Sequence, residues 1–219
     1  ISMDKHIVTS YDNDLEYIKI LIIEMGVLLE KQTFEAIELI KLHNLKIMPT
    51  IKETEKKINS AEKKIREYST NTLTKRQPLA DDLRKIIVSI KIASTLERIG
   101  DHAENIANRI EQAKIVPTNY LTDSIYRLGQ SIIKNLSQAL TAYDQNSIKL
   151  SKNVSLEDKK IDLLYETCFR EHLVLMMEDN KNISYFTQML FIAKELERIG
   201  DLCKNIAKEV SYSVEGKIS

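Results

Sequence analysis

Leu96-Glu97-Arg98-Ile99-Gly100-Asp101 returns unchanged as Leu196-Glu197-Arg198-Ile199-Gly200-Asp201. Around the hexapeptide, residues 92–107 and 192–207 match at 11 of 16 positions without a gap, where chance gives about one. The chain is a duplication. Gly26 is echoed by Gly129, and Glu55-Lys56-Lys57-Ile58-Asn59 by Asp158-Lys159-Lys160-Ile161-Asp162, both at an offset of 103 that falls to 100 by the hexapeptide. The second copy is therefore three residues shorter between those two motifs.

Each copy reads as three helices. Ile92, Leu96, Ile99, Ala103, Ile106 and Ile110 alternate three and four apart, and Ile51, Ile58, Ala61, Ile65 and Tyr68 keep the same rhythm with Thr54 in the seam; that period gives a helix one apolar face. Breaks are expected at His43-Asn44, Lys75 to Pro78, Val116 to Asn119, Asp144 to Ser147 and Asp179 to Asn182. They leave six segments of about thirty residues, each about 45 Å long. Pro78 and Pro117 suit helix starts and Pro49 a first turn, where a missing N–H costs little. The expected fold is all-α, a tandem duplication of a three-helix bundle, with units at 3–115 and 116–215.

Composition narrows the function. Lys plus Arg and Asp plus Glu stand at 32 each, with no Trp, which argues against a nucleic-acid partner or a stacking platform for single strands. The most apolar run, Ile18 to Leu29, carries Lys19 and Glu24, so no insertion into a membrane is expected. Met3 is the expected natural start, with no signal-peptide pattern after it. Cys168 and Cys203 are not spaced as CxxC and read as buried, reduced thiols of a cytoplasmic protein, Cys168 on a seam with Ile161 and Leu164.

The hexapeptide also carries chemistry. Glu97 and Asp101 are four apart, about 40° around the helix axis and 6 Å along it, so both carboxylates reach one cation. Glu197 with Asp201 and Asp158 with Asp162 repeat the spacing, and Glu55 with Asn59 is a weaker counterpart. Like charges so placed repel, and a bound cation would neutralise them. Oxygen donors without a flanking histidine favour hard ions such as ferric iron, manganese, magnesium or calcium over structural zinc. The alternative is a solvated face paired with Arg98, Arg198 or nearby lysines. Glu97, Asp101 and Asn105 point away from the seam and continue the stripe Leu83, Ile86, Ile90, so the expected site lies at a bundle margin, open to solvent or a partner. Gly100 and Gly200 leave room either for close helix approach or for a group beside the acidic pair. None of the four histidines has a glutamate three residues before it, which excludes the di-iron bundle signature, and no phosphate loop or nucleophile elbow is present. His102 reads as an isolated packing or surface histidine.

The doubled hexapeptide with Asn105-Ile106-Ala107 and Asn205-Ile206-Ala207, Arg76-Gln77-Pro78, and Tyr11-Asp12 through Met25-Gly26 resemble the PhoU family of bacterial phosphate-signalling regulators, from Met3 to about Tyr212. The resemblance implies a non-enzymatic homodimer of two three-helix bundles that holds iron, zinc, manganese or magnesium ions on surface Glu/Asp-x-x-x-Asp motifs. Those motifs fall here on Glu97 and Asp101, Glu197 and Asp201, Asp158 and Asp162, and less fully on Glu55 and Asn59. It further implies a cytoplasmic regulator at the inner membrane face, linking the ATPase of the phosphate ABC transporter to a sensor histidine kinase. A helical module for another ion transporter and a carboxylate-bound metal enzyme are the competing functions. With two full carboxylate pairs, the second unit is the expected tighter metal site.

Overall fold

The computed structural model describes residues 2–76, 80–113 and 119–217. They form α1 (Ser2–Leu42), α2 (Met48–Arg76), α3 (Ala80–Ala113), α4 (Asn119–Asp144), α5 (Ile148–Glu178) and α6 (Ile183–Glu215), with 3₁₀ turns at Leu45–Ile47 and Asn180–Asn182. No strand occurs among the described residues. Pro49 lies in the first turn of α2, whereas Pro78, Pro117 and the boundary between units fall outside the described residues.

The two short turns show how the duplication is built. His43 (φ 49°) ends α1, and Asn146 (φ 47°), 103 residues later, ends α4; both reverse the chain through the left-handed region that most L residues avoid. Ser147 then caps α5 by accepting a hydrogen bond from Leu150 N at 3.3 Å. The amphipathic seams therefore return against one another at short range.

Two units emerge, and their cores merge. α2 packs on α1 and α3, and α5 on α4 and α6, while α1 also meets α4 and α3 meets α6. The result is a central group of four helices, flanked by α2 and α5. A Cβ on Gly26 would lie 2.8 Å from Leu140, and one on Gly129 would lie 2.7 Å from Ile37. Both members of the second contact sit 103 residues from their counterparts in the first, so the units face each other about an internal pseudo-two-fold axis.

Burial follows the periodic residues. Ile51, Ile58, Ile65, Ile92, Leu96, Ile99 and Ile106 are fully enclosed, and Thr54 is buried in the seam as well. Cys168 and Cys203 are free, buried thiols, whose pKa values desolvation pushes up, to about 11 for Cys168. Leu164 departs from expectation: it is exposed, and the inner stripe of α5 runs through Val154, Asp158, Ile161, Cys168 and His172. No helix among the described residues is long and apolar enough to cross a membrane.

Candidate cation sites between the outer and inner helices

In the first unit the acidic stripe of α3 faces α2. Glu55 lies on the buried side of α2, only 4% exposed, with Oε2 accepting a 2.6 Å hydrogen bond from Gln32 Nε2 of α1. Gly100 makes this possible, because a Cβ there would stand 2.8 Å from Glu55 Oε2 and 3.2 Å from Gln32 Oε1. The glycine thus leaves room for a buried carboxylate. Desolvation pushes Glu55 up to about 7; the bond from Gln32 opposes the shift, and the charges of Asp101, Glu104 and Glu97 reinforce it. Burial, Asp101 and Glu62 raise Glu97 as well, against Arg98 and Arg66. Glu55 Oε1 and Gln32 Oε1 are buried without a hydrogen-bond partner. Asp101 and Asn59 are exposed at the rim and Glu97 is half-buried.

The second unit repeats the backbone and changes the charges. Asp158, the counterpart of Glu55, is fully enclosed, and its Oδ2 accepts from Lys204 Nζ at 2.5 Å. Lys204 stands where the first unit has Glu104. Lys194, in place of Ser94, pairs with Glu197 at 2.6 Å. Partial burial and neighbouring carboxylates raise the exposed Asp162 and Asp201, while Lys204 opposes both shifts. Asp158, Asp162 and Asp201 in turn raise Lys204 against the effect of burial, its hydrogen bond to Asp158 being the largest cause. Asn135, the counterpart of Gln32, is buried with no partner for its amide.

These donor sets fit a cation unequally. Each unit buries two orphaned oxygens, Gln32 Oε1 with Glu55 Oε1 in the first and Asn135 Oδ1 with Asp158 Oδ1 in the second; in the first they lie beneath a carboxylate rim with no lysine among them, the donor chemistry of a hard ion. The second already contains an ammonium against its innermost carboxylate, and as arranged it does not fit a metal. Among the described residues no three His, Cys, Asp or Glu side chains are gathered closely enough to hold one ion.

The model of the PhoU domain matches the chain twice, over residues 22–110 and 125–210. The chain belongs to the PhoU family. It is 35% identical over 213 residues, 96% of its length, to a phosphate-specific transport system accessory protein PhoU homolog of Rhizobium meliloti (strain 1021), 90% of which is covered. Its identity to PhoU of Escherichia coli (strain K12) is 33%, over 99% of this chain and 90% of that protein. The crystal structure of PhoU from Pseudomonas aeruginosa superposes with a TM-score of 0.89 at 34% identity, over 94% of this chain and all of that one.

Each match to the PhoU domain includes one acidic groove, and the two grooves lie on opposite sides of a junction that sequence reasoning missed. Glu195 of α6 is 4% exposed and accepts from His102 Nδ1 at 2.6 Å and from Arg109 at 3.3 Å. Burial alone would raise Glu195, but His102, Arg109 and Arg198 outweigh it and hold the carboxyl below its ordinary value. His102 is therefore half of a link between PhoU units. Its counterpart is Leu202, and that of Glu195 is Thr95, so the link exists on one side of the pseudo-axis only.

Proposed function

We propose that the chain is a non-catalytic regulator of phosphate uptake and of the phosphate-starvation response. It docks between the cytoplasmic ATPase of a phosphate ABC transporter and a sensor histidine kinase, with cations on its acidic motifs stiffening the docking body. Family membership supports the phosphate link, because the similar proteins are named as accessories of phosphate-specific transport systems.

The observation that carries docking is the outer face of α5. Leu156, Leu163, Val174 and Met177 recur there at helical spacing and are exposed, Met177 by 84%. The equivalent positions on α2 are Glu53, Ser60, Asn71 and Thr74. Two helices of common origin thus bury matching inner faces, and only α5 keeps an apolar outer one. Such a stripe on a soluble surface marks a protein interface, and we assign it to the transporter ATPase, the component that brings the regulator to the membrane.

The test is co-purification with the ATPase and with the kinase, alongside deletion of the gene. Deletion should raise phosphate-responsive transcription in phosphate-rich medium; unchanged transcription would remove the regulatory reading. Variants with charged residues on α5 should lose the ATPase. If they keep it and lose self-association instead, the stripe is the homodimer interface.

A further inference from the structure

We infer that the outer face of α1 is a self-association surface, on which a second copy of this chain packs antiparallel about Val27 and leaves the α5 stripes of both copies free. The bivalence that follows rests on the docking proposed for α5; self-association through α1 stands apart from it.

Ile20, Val27 and Phe34 recur every seventh residue of α1, so they lie about 10 Å apart along one line of the helix. All three are exposed, Val27 by 61% and Phe34 by 50%. The same positions of α4 hold Asp123, Gln130 and Ser137, which are also exposed and need no cover. The apolar stripe therefore belongs to one unit and is not imposed by the repeat. The charges beside it select its partner. Glu24 stands about 4.5 Å before Val27 and about 60° to one side, and Lys31 about 6 Å after it and about 40° to the same side. A two-fold axis passing Val27 at right angles to α1 reverses height along the helix and keeps the side, so Glu24 of each copy meets Lys31 of the other while Ile20 meets Phe34. A parallel pairing would instead set Glu24 on Glu24 and Lys31 on Lys31, which repel. Within one chain Lys31 reaches Glu35 at 3.8 Å, with 60% of its side chain exposed, a loose surface pair that contributes little. α5 packs on α4 and α6, so its outer stripe stays clear of this face. A dimer then carries two such stripes, which raises avidity for a partner present in two copies.

Sedimentation velocity of the full chain across the micromolar range tests this, with circular dichroism to verify that each variant folds. Wild type should be dimeric, and Val27→Glu should weaken self-association by at least about tenfold, because it sets two like charges on the axis. Glu24→Lys and Lys31→Glu should each be monomeric alone, associate when mixed, and self-associate again when combined in one chain. Two turns of helix separate these residues within a chain, so that recovery reads a contact between copies. Wild type that is monomeric throughout, a dimer indifferent to Val27→Glu, or single variants whose mixture fails to associate overturns the assignment. A monomeric wild type that loses the transporter ATPase on Val27→Glu overturns it too and gives the stripe to that partner. A dimer broken by Val27→Glu, with α5 variants that stay dimeric and keep the ATPase, upholds the α1 surface and removes only the docking role of α5.

Discussion

At the residue scale the determining group is Glu55, whose carboxyl is raised to about 7 by burial and by three neighbouring acids. A carboxyl raised in the folded state holds its proton where the unfolded chain has lost it. Stability therefore falls as pH climbs from about 4.5 toward 7 and levels off above, once both states are ionised. Glu55→Gln keeps the bond from Gln32 and removes the charge, so in chelating buffer it should stabilise the protein by about 1–3 kcal/mol at pH 8. At pH 4 the gain should vanish; urea melts at the two values check it, and equal stabilities at pH 8 would show that Glu55 is not held in a desolvated site. The carboxylate spacing on α3 was legible in the sequence because four residues always return to one helix face. The burial of Glu55 was not, since it depends on Gln32 arriving from α1. The exchange of Glu104 for Lys204 was visible as a mismatch inside the repeat, but its meaning needed the contact with Asp158.

At the element scale, the seams and the turns followed from period and punctuation, while the packing of one unit on the other did not. Gly26 and Gly129 mark where α1 and α4 come closest, each facing a side chain of the other helix. Ile37 is β-branched and fully enclosed, whereas Leu140 is slightly exposed and has freer torsions. Gly129→Ala should therefore lower stability by about 1–2 kcal/mol despite the gain in helix propensity. Gly26→Ala should cost less, and chemical denaturation of the pair compares them directly. The α3–α6 contact depends on charge. Glu195 is lowered relative to its ordinary 4.5, so its contribution is present above that pH and is lost as acid titrates the folded carboxylate. Glu195→Gln should cost about 1–3 kcal/mol at pH 7, and the gap should close below about pH 4. A gap that persists there would mean that His102 and Arg109 act through packing rather than charge. A buried acid inside an apolar seam gives no sequence signal, because its partners lie on the other unit.

On the scale of the whole molecule, duplication supplied two equal bodies and divergence gave each a different surface. Along the outer stripe of α2 every position is polar; along that of α5, leucine, valine and methionine alternate with charge. The core tolerates this difference because both outer stripes point away from it, so α5 can change for binding without loss of fold. Replacing Leu163 and Val174 together with Glu should leave the melting temperature within about 2 °C of wild type, since surface substitutions away from packed features shift stability little. The same variant should weaken association with the transporter ATPase by at least about tenfold, since exposed leucine and valine at an interface centre contribute about 1 kcal/mol or more each. Ser60→Glu with Asn71→Glu, at the matching places on α2, serves as the control and should leave association unchanged. Surface-plasmon measurements on the folded variants decide the matter: equal losses from α2 and α5 would point to long-range charge repulsion, and a loss confined to α5 to the apolar stripe itself.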